Sequence, residues 1–147
     1  MTFFEWAGVG SADERPGEEG LAHFHEHMLF KGTERRAVGE VAGDIEGLGG
    51  HINAYTSFDS TVYHATLPSD QLDVGTEVLT DALTHSVFDP AEIDREIEVV
   101  LEEIRRAEDS PGQVLGQGVF SECYRQHPYR APILGTHESV ASITRER

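Results

Sequence analysis

The sequence predicts an α+β fold, an antiparallel-rich sheet packed with helices, on three observations. Two β-prone runs, residues 51–56 and 61–67, flank the short connection Ser57-Phe58-Asp59-Ser60, which reads as a hairpin. A third short, alternating, aromatic run lies near the amino terminus, at residues 3–9. The helical patterns come in blocks around these runs instead of alternating with them, which argues against a doubly wound parallel sheet.

Each element has a local reason. Gly10 and Ser11 close the first strand, and residues 11–20, with Pro16, two glycines and four carboxylates, read as a loop. Residues 21–30 then read as a helix, with Gly32 just past its end. Val38, Val41, Ile45 and Leu48 recur at helical intervals, so residues 37–48 form a second helix that Gly47, Gly49 and Gly50 end. After the hairpin, Ser69 is placed to cap a helix over 70–86, with Leu72, Val78, Leu79, Ala82 and Leu83 among its apolar positions. Asp89-Pro90-Ala91-Glu92 is a strong helix start: a capping carboxylate, a proline at the first position and a glutamate that can complete a capping box. That helix runs to about Glu108 and stops before Pro111. Residues 113–124 read as a further helix despite Gly116 and Gly118, 127–135 as a loop, and 137–143 as a short last helix.

Composition limits the function. The 147 residues suit a single domain, residues 1–147, and 38% hydrophobic with 26% charged residues is globular and not disordered. A net charge of −16 argues against nucleic acid, whose binding needs a basic face, and favours cationic small molecules, basic peptides or metal ions. Lys31 is the sole lysine among 11 basic residues. The sole cysteine, Cys123, excludes an internal disulfide and a cysteine-cluster zinc site. No run is apolar and long enough for a membrane span, and the amino terminus shows no secretory pattern, so the expectation is a cytoplasmic chain or one that begins after such a segment.

The chemistry concentrates in His23-Phe24-His25-Glu26-His27. On a helix His23 and His27 share a face one turn apart and can hold one zinc ion, Zn2+. Glu26 sits on the edge of that face, in reach of a water on the metal, and is the candidate catalytic base. His25 is turned about 200° from His23, off the ligand face. A catalytic zinc wants a third protein ligand. The 89–108 helix offers Glu92, Glu96, Glu98, Glu102, Glu103 and Glu108, and charge alone does not choose. Glu96 and Glu103, seven apart, lie only about 20° from eclipsed and point the same way, one to bind metal and the other to orient a ligand imidazole.

His23-Phe24-His25-Glu26-His27 is the H-x-x-E-H pattern of the inverzincins. Together with VGSADE at 9–14, GLAHFHEHMLFKGT at 20–33, LGGHINAYT at 48–56, REIEVVLEEI at 95–104 and HPYRAPILGT at 127–136, it resembles the pitrilysin/insulinase family of zinc metallopeptidases. That family includes the mitochondrial processing peptidase and many bacterial homologues. The resemblance implies a zinc endopeptidase half-domain truncated at both ends, with His23, His27 and Glu103 as metal ligands and Glu96 as a second functional acid. It implies Asn53, Ala54 and Tyr55 as an edge strand on which an extended peptide substrate pairs. It also implies a second homologous domain or subunit, and a chain lacking that half can be a catalytically silent fragment or scaffold. His25 stands where the family usually has an apolar residue. S-ribosylhomocysteine lyase shares the H-x-x-E-H motif, but it needs a downstream metal-binding cysteine, and Glu122-Cys123-Tyr124 does not resemble that setting.

Overall fold

Tyr55 faces Val62 and Thr56 faces Thr61 across an antiparallel pair, so residues 57–60 are the hairpin turn that the sequence marks. The computed structural model describes residues 1–146. Its three strands are β1 (Thr2–Ala7), β2 (His51–Thr56) and β3 (Thr61–Thr66). They order β1-β3-β2, antiparallel throughout, with β3 in the centre. The strand expected at 3–9 ends early, at Ala7, which is paired with Thr61, the first residue of β3; past it the chain bonds to the hairpin turn instead, the Ser11 amide donating to the Ser57 carbonyl at 3.1 Å.

The helices are α1 (Leu21–Leu29), α2 (Glu40–Glu46), α3 (Leu72–His85), α4 (Pro90–Glu108), α5 (Pro111–Cys123) and α6 (His137–Ala141). Several starts differ from the sequence reading, each for a local reason. Gly39 takes a left-handed conformation (φ 86°), so α2 begins at Glu40 and not near 37. Ser69 does not cap α3: Pro68 leads into a 3-10 turn over Ser69–Gln71, and the helix proper starts at Leu72. Asp89 does cap α4, accepting from the Ala91 amide at 2.8 Å, but the capping box stays open because the Glu92 carboxylate pairs with Arg95. α5 starts at Pro111, the same first-position proline logic as Pro90. A 3-10 turn, Pro128–Arg130, sits within the expected loop. Among the described residues no helix is long and apolar enough to cross a membrane.

Two apolar cores meet at α1. One lies between the sheet and α2 and α3, and contains Val41, Ile45, Ile52, Tyr63, Val78, Leu79 and Leu29 of α1. The other gathers Phe24 and Met28 of α1 with Ile93, Val100 and Ile104 of α4 and Val140 of α6. Burial of each large side chain there contributes about 1.5–3 kcal/mol. α1 is thereby held on both flanks, and the strip between the flanks carries His23, Glu26 and His27.

The start of α1 is fixed by a residue of the preceding loop. No cap side chain is available at Gly20, which is left-handed (φ 90°). The Glu14 carboxylate takes the role instead, accepting from the amides of Gly20 at 3.0 Å and Ala22 at 2.8 Å. Burial pushes the Glu14 carboxyl up to about 7, against the lowering effect of those two amides. Gly20 must be glycine for a second reason: a Cβ there would stand 2.6 Å from the Leu134 carbonyl oxygen.

Behind α1, Arg36 joins three carboxylates: Asp44 of α2 at 2.8 Å, and Glu77 and Asp81 of α3, each at 2.5 Å. Asp81 is buried and also accepts from the Thr33 hydroxyl at 2.7 Å. The Thr33 hydrogen bond and the Arg36 charge hold its carboxyl below the usual aspartate range. Its stabilising contribution is therefore complete above the ordinary pKa of about 3.9 and is lost as pH falls through the lower folded value. Asp81→Ala should cost about 3 kcal/mol in chemical denaturation at neutral pH, since it leaves Arg36 half-shielded and short of a partner. That deficit should shrink as pH falls below the ordinary aspartate value of about 3.9 and through the lower folded one, where the wild type loses the same pair.

Candidate metal centre

His23 and His27 project from one face of α1, and α4 lies alongside with Glu96 and Glu103 on the facing side. His23 Nε2 and His27 Nε2 are 3.2 Å apart. Glu103 Oε2 stands 3.7 Å from the first and 3.5 Å from the second. Among the described residues this is the one group of three or more metal-binding side chains whose donor atoms converge in this way. A tetrahedral ion with bonds of about 2.0–2.1 Å keeps its ligand atoms about 3.3 Å apart, so the spacing and the donor chemistry fit zinc. Glu103 is the most exposed of the three, at 43% of its side chain, while His23 is buried.

The surrounding groups fix the rings. The buried Glu96 holds His27 Nδ1 with Oε1 at 2.8 Å and Lys31 Nζ with Oε2 at 2.6 Å. A proton on Nδ1 leaves the Nε2 lone pair directed toward His23 and Glu103. Burial, reinforced by the His27 charge, pulls His23 down to about 4, so it is a neutral donor at neutral pH. Burial also works to lower His27, but the Glu96 hydrogen bond and the charges of Glu96, Glu103 and Glu26 outweigh it and raise the ring above its ordinary value. His23 Nδ1 is buried without a hydrogen-bond partner among the described residues.

Glu26 is half-buried beside the cluster and is not part of it. Thr56 Oγ1, at the end of β2, donates to Glu26 Oε2 at 2.5 Å. Burial raises the Glu26 carboxyl above its usual range; the Thr56 hydrogen bond and the His27 charge oppose this, and the Glu103 charge adds to it. Asn53, Ala54 and Tyr55 lie mid-strand in β2, which has β3 on one side and, among the described residues, an open edge on the other. The Ser57 amide donates to the Ser60 carbonyl at 2.8 Å, and counting back by twos turns the Ala54 amide and carbonyl to that edge. There the Ala54 amide meets its neighbour's side chain, Asn53 Oδ1, at 2.8 Å. His25 projects away from the cluster and packs on the Phe88 ring. Cys123 is exposed on α5 and is no member of the cluster, which removes the ligand that the lyase reading needs.

The Insulinase (Peptidase family M16) model matches residues 6–137. The chain belongs to the M16 family of peptidases. An uncharacterized zinc protease of Rickettsia bellii is 38% identical over 140 residues, which is 95% of this chain and 34% of that one. The beta subunit of the human mitochondrial-processing peptidase is 38% identical over 141 residues, 96% of this chain and 29% of its own length. A protease structure from Helicobacter pylori superposes with a TM-score of 0.93 at 31% identity, over 99% of this chain and 35% of that one. The chain thus spans about a third of the length of these relatives, and its fold is that of part of an M16 peptidase.

Three contributors escaped the sequence reading: Glu14, Lys31 and Thr56. Lys31 had a visible signal as the sole lysine, and Thr56 closes the HINAYT run at 51–56. Glu14 sits among four loop carboxylates with nothing in its neighbourhood to single it out. Removing a ligand should be decisive for metal: His27→Ala and Glu103→Ala should each weaken zinc binding more than about 100-fold, measured by competition with a chromophoric chelator.

Proposed function

We propose that the chain is the metal-holding, water-activating part of a zinc endopeptidase that hydrolyses peptide bonds in extended peptides. The observation that carries this reading is the convergence of His23, His27 and Glu103 beside a half-buried carboxylate, Glu26, that does not join them. The first three would hold the metal. Zinc bound there supplies Lewis acidity, polarising a carbonyl and acidifying a water.

The protein's own groups do the rest. Glu26 is tied through Oε2 to Thr56, which leaves Oε1 free to take the proton from the attacking water and pass it to the leaving amine. Its burial favours that task, because a carboxyl raised above its ordinary range is a better base. Glu96 keeps the His27 ring in one orientation. The open edge of β2 suits β-augmentation: an extended peptide pairs with the backbone of Ala54, once Asn53 releases the amide, while Asn53 and Tyr55 present side chains on the exposed face. Such a peptide runs toward Thr56, and so toward Glu26. The strongly acidic surface favours basic peptides.

A catalytically silent or scaffold role is the second reading. On that reading turnover needs a second homologous domain or subunit, the chain spanning about a third of the relatives' length. The two readings separate in one assay, cleavage of a peptide mixture by the zinc-loaded chain followed by mass spectrometry. Glu26→Gln should keep zinc at wild-type stoichiometry and lose about 10²–10⁴-fold in hydrolysis. Full activity in zinc-loaded Glu26→Gln contradicts the base assignment, and a wild type that binds zinc without cleaving favours the scaffold.

A further inference from the structure

Lys31 stands just beyond α1, its amide donating to the Met28 carbonyl at 3.0 Å. It is the one lysine in a chain whose other basic residues are arginines. Its ammonium turns back to Glu96 Oε2 at 2.6 Å, and Glu96 carries the contact through its other oxygen to His27 Nδ1 at 2.8 Å. The carboxylate between them is only 5% exposed. A buried carboxylate with one oxygen unpaired is costly, and it relieves that cost by turning toward water. That turn removes the acceptor that holds the His27 ring. A lysine suits the position physically: a compact point charge on a flexible stem pairs with a single buried oxygen, where a planar guanidinium needs room for a fork.

We propose that Lys31 is a positioning residue for the metal centre, acting through Glu96 to fix the His27 ring so that Nε2 faces the ion. The inference rests on the zinc reading above. Lys31 touches neither metal nor substrate. Its effect is on how well the site is formed before the ion arrives, and partners that orient ligand rings typically set about 10–100-fold in metal affinity.

The test is zinc affinity by chelator competition, alongside thermal unfolding of the metal-free chain. Lys31→Met should weaken zinc binding about 10–100-fold, and Lys31→Arg should recover part of that loss by restoring the charge. Adding Lys31→Met to Glu96→Gln should cost little more than Glu96→Gln alone, because the two act in series. A purely structural pair would instead lower metal-free stability and leave the affinity of the folded fraction unchanged.

Should the variants fail to fold, the wild type supplies a second measurement. With one lysine, the side-chain ammonium gives a single ¹⁵N resonance, and zinc addition should shift it. Equal affinity in Lys31→Met, additive losses with Glu96→Gln, or an ammonium resonance indifferent to zinc each overturn the proposal while leaving the zinc reading intact. A wild-type chain that takes up no zinc overturns both.

Discussion

Three electron-pair donors, two imidazole nitrogens and a carboxylate oxygen, are brought within 3.2–3.7 Å of one another by packing that does not involve them. Bringing such atoms together is unfavourable unless a cation or shared protons lie between them. Nothing in the donors themselves supplies the convergence. Phe24 and Met28 lock one flank of α1 onto α4 and α6, Leu29 locks the other onto the sheet, and the residues between have no choice of direction. The apolar cores set the geometry of the polar strip, and the strip sets the chemistry.

The same logic extends outward. Glu26 is held from the sheet by Thr56, His27 is held from α4 by Glu96, and the beginning of α1 is held by Glu14 across a loop. Three elements therefore converge on one helix of two and a half turns, and each supplies a single well-defined hydrogen bond or charge. Because β2 ends at Thr56, the strand edge suited to an extended peptide and the carboxylate suited to moving its protons are mechanically one unit. Tying the carboxylate on α1 to the end of β2 keeps the separation of carboxylate and strand edge from drifting with loop motion.

Much of this was legible in the residues. The alternating runs and their four-residue connection gave the hairpin, the 3.6-residue periods gave the long helices, and Asp89-Pro90 gave the start of α4. Helix starts at prolines and glycines were the weak point. Ser69 looked like a cap, yet Pro68 closes a 3-10 turn first; Gly39, inside an apolar period, delays α2 by taking a left-handed backbone. At the site, spacing along one helix is a local property, so the relation of His23, Glu26 and His27 could be read directly. The seven-residue spacing of Glu96 and Glu103 showed a shared face, but which of them meets the histidines depends on how α4 slides along α1. Only the family resemblance chose between them. Lys31 and Thr56 act through contacts between distant parts of the chain, with partners 65 and 30 positions away, and Glu14 acts across a loop on an amide 8 positions on; no periodicity announces such contacts.

The central claim is a single zinc ion gripped by two imidazoles and one carboxylate. X-ray absorption at the zinc edge, on the chain reconstituted with one equivalent of metal, examines that claim at the level of bonds. The expected spectrum has two nitrogen scatterers with imidazole multiple scattering at about 2.0–2.1 Å, lighter oxygen donors at about 2.0–2.2 Å, and no sulfur. A sulfur shell near 2.3 Å, or a shell of water oxygens without imidazole, would contradict it.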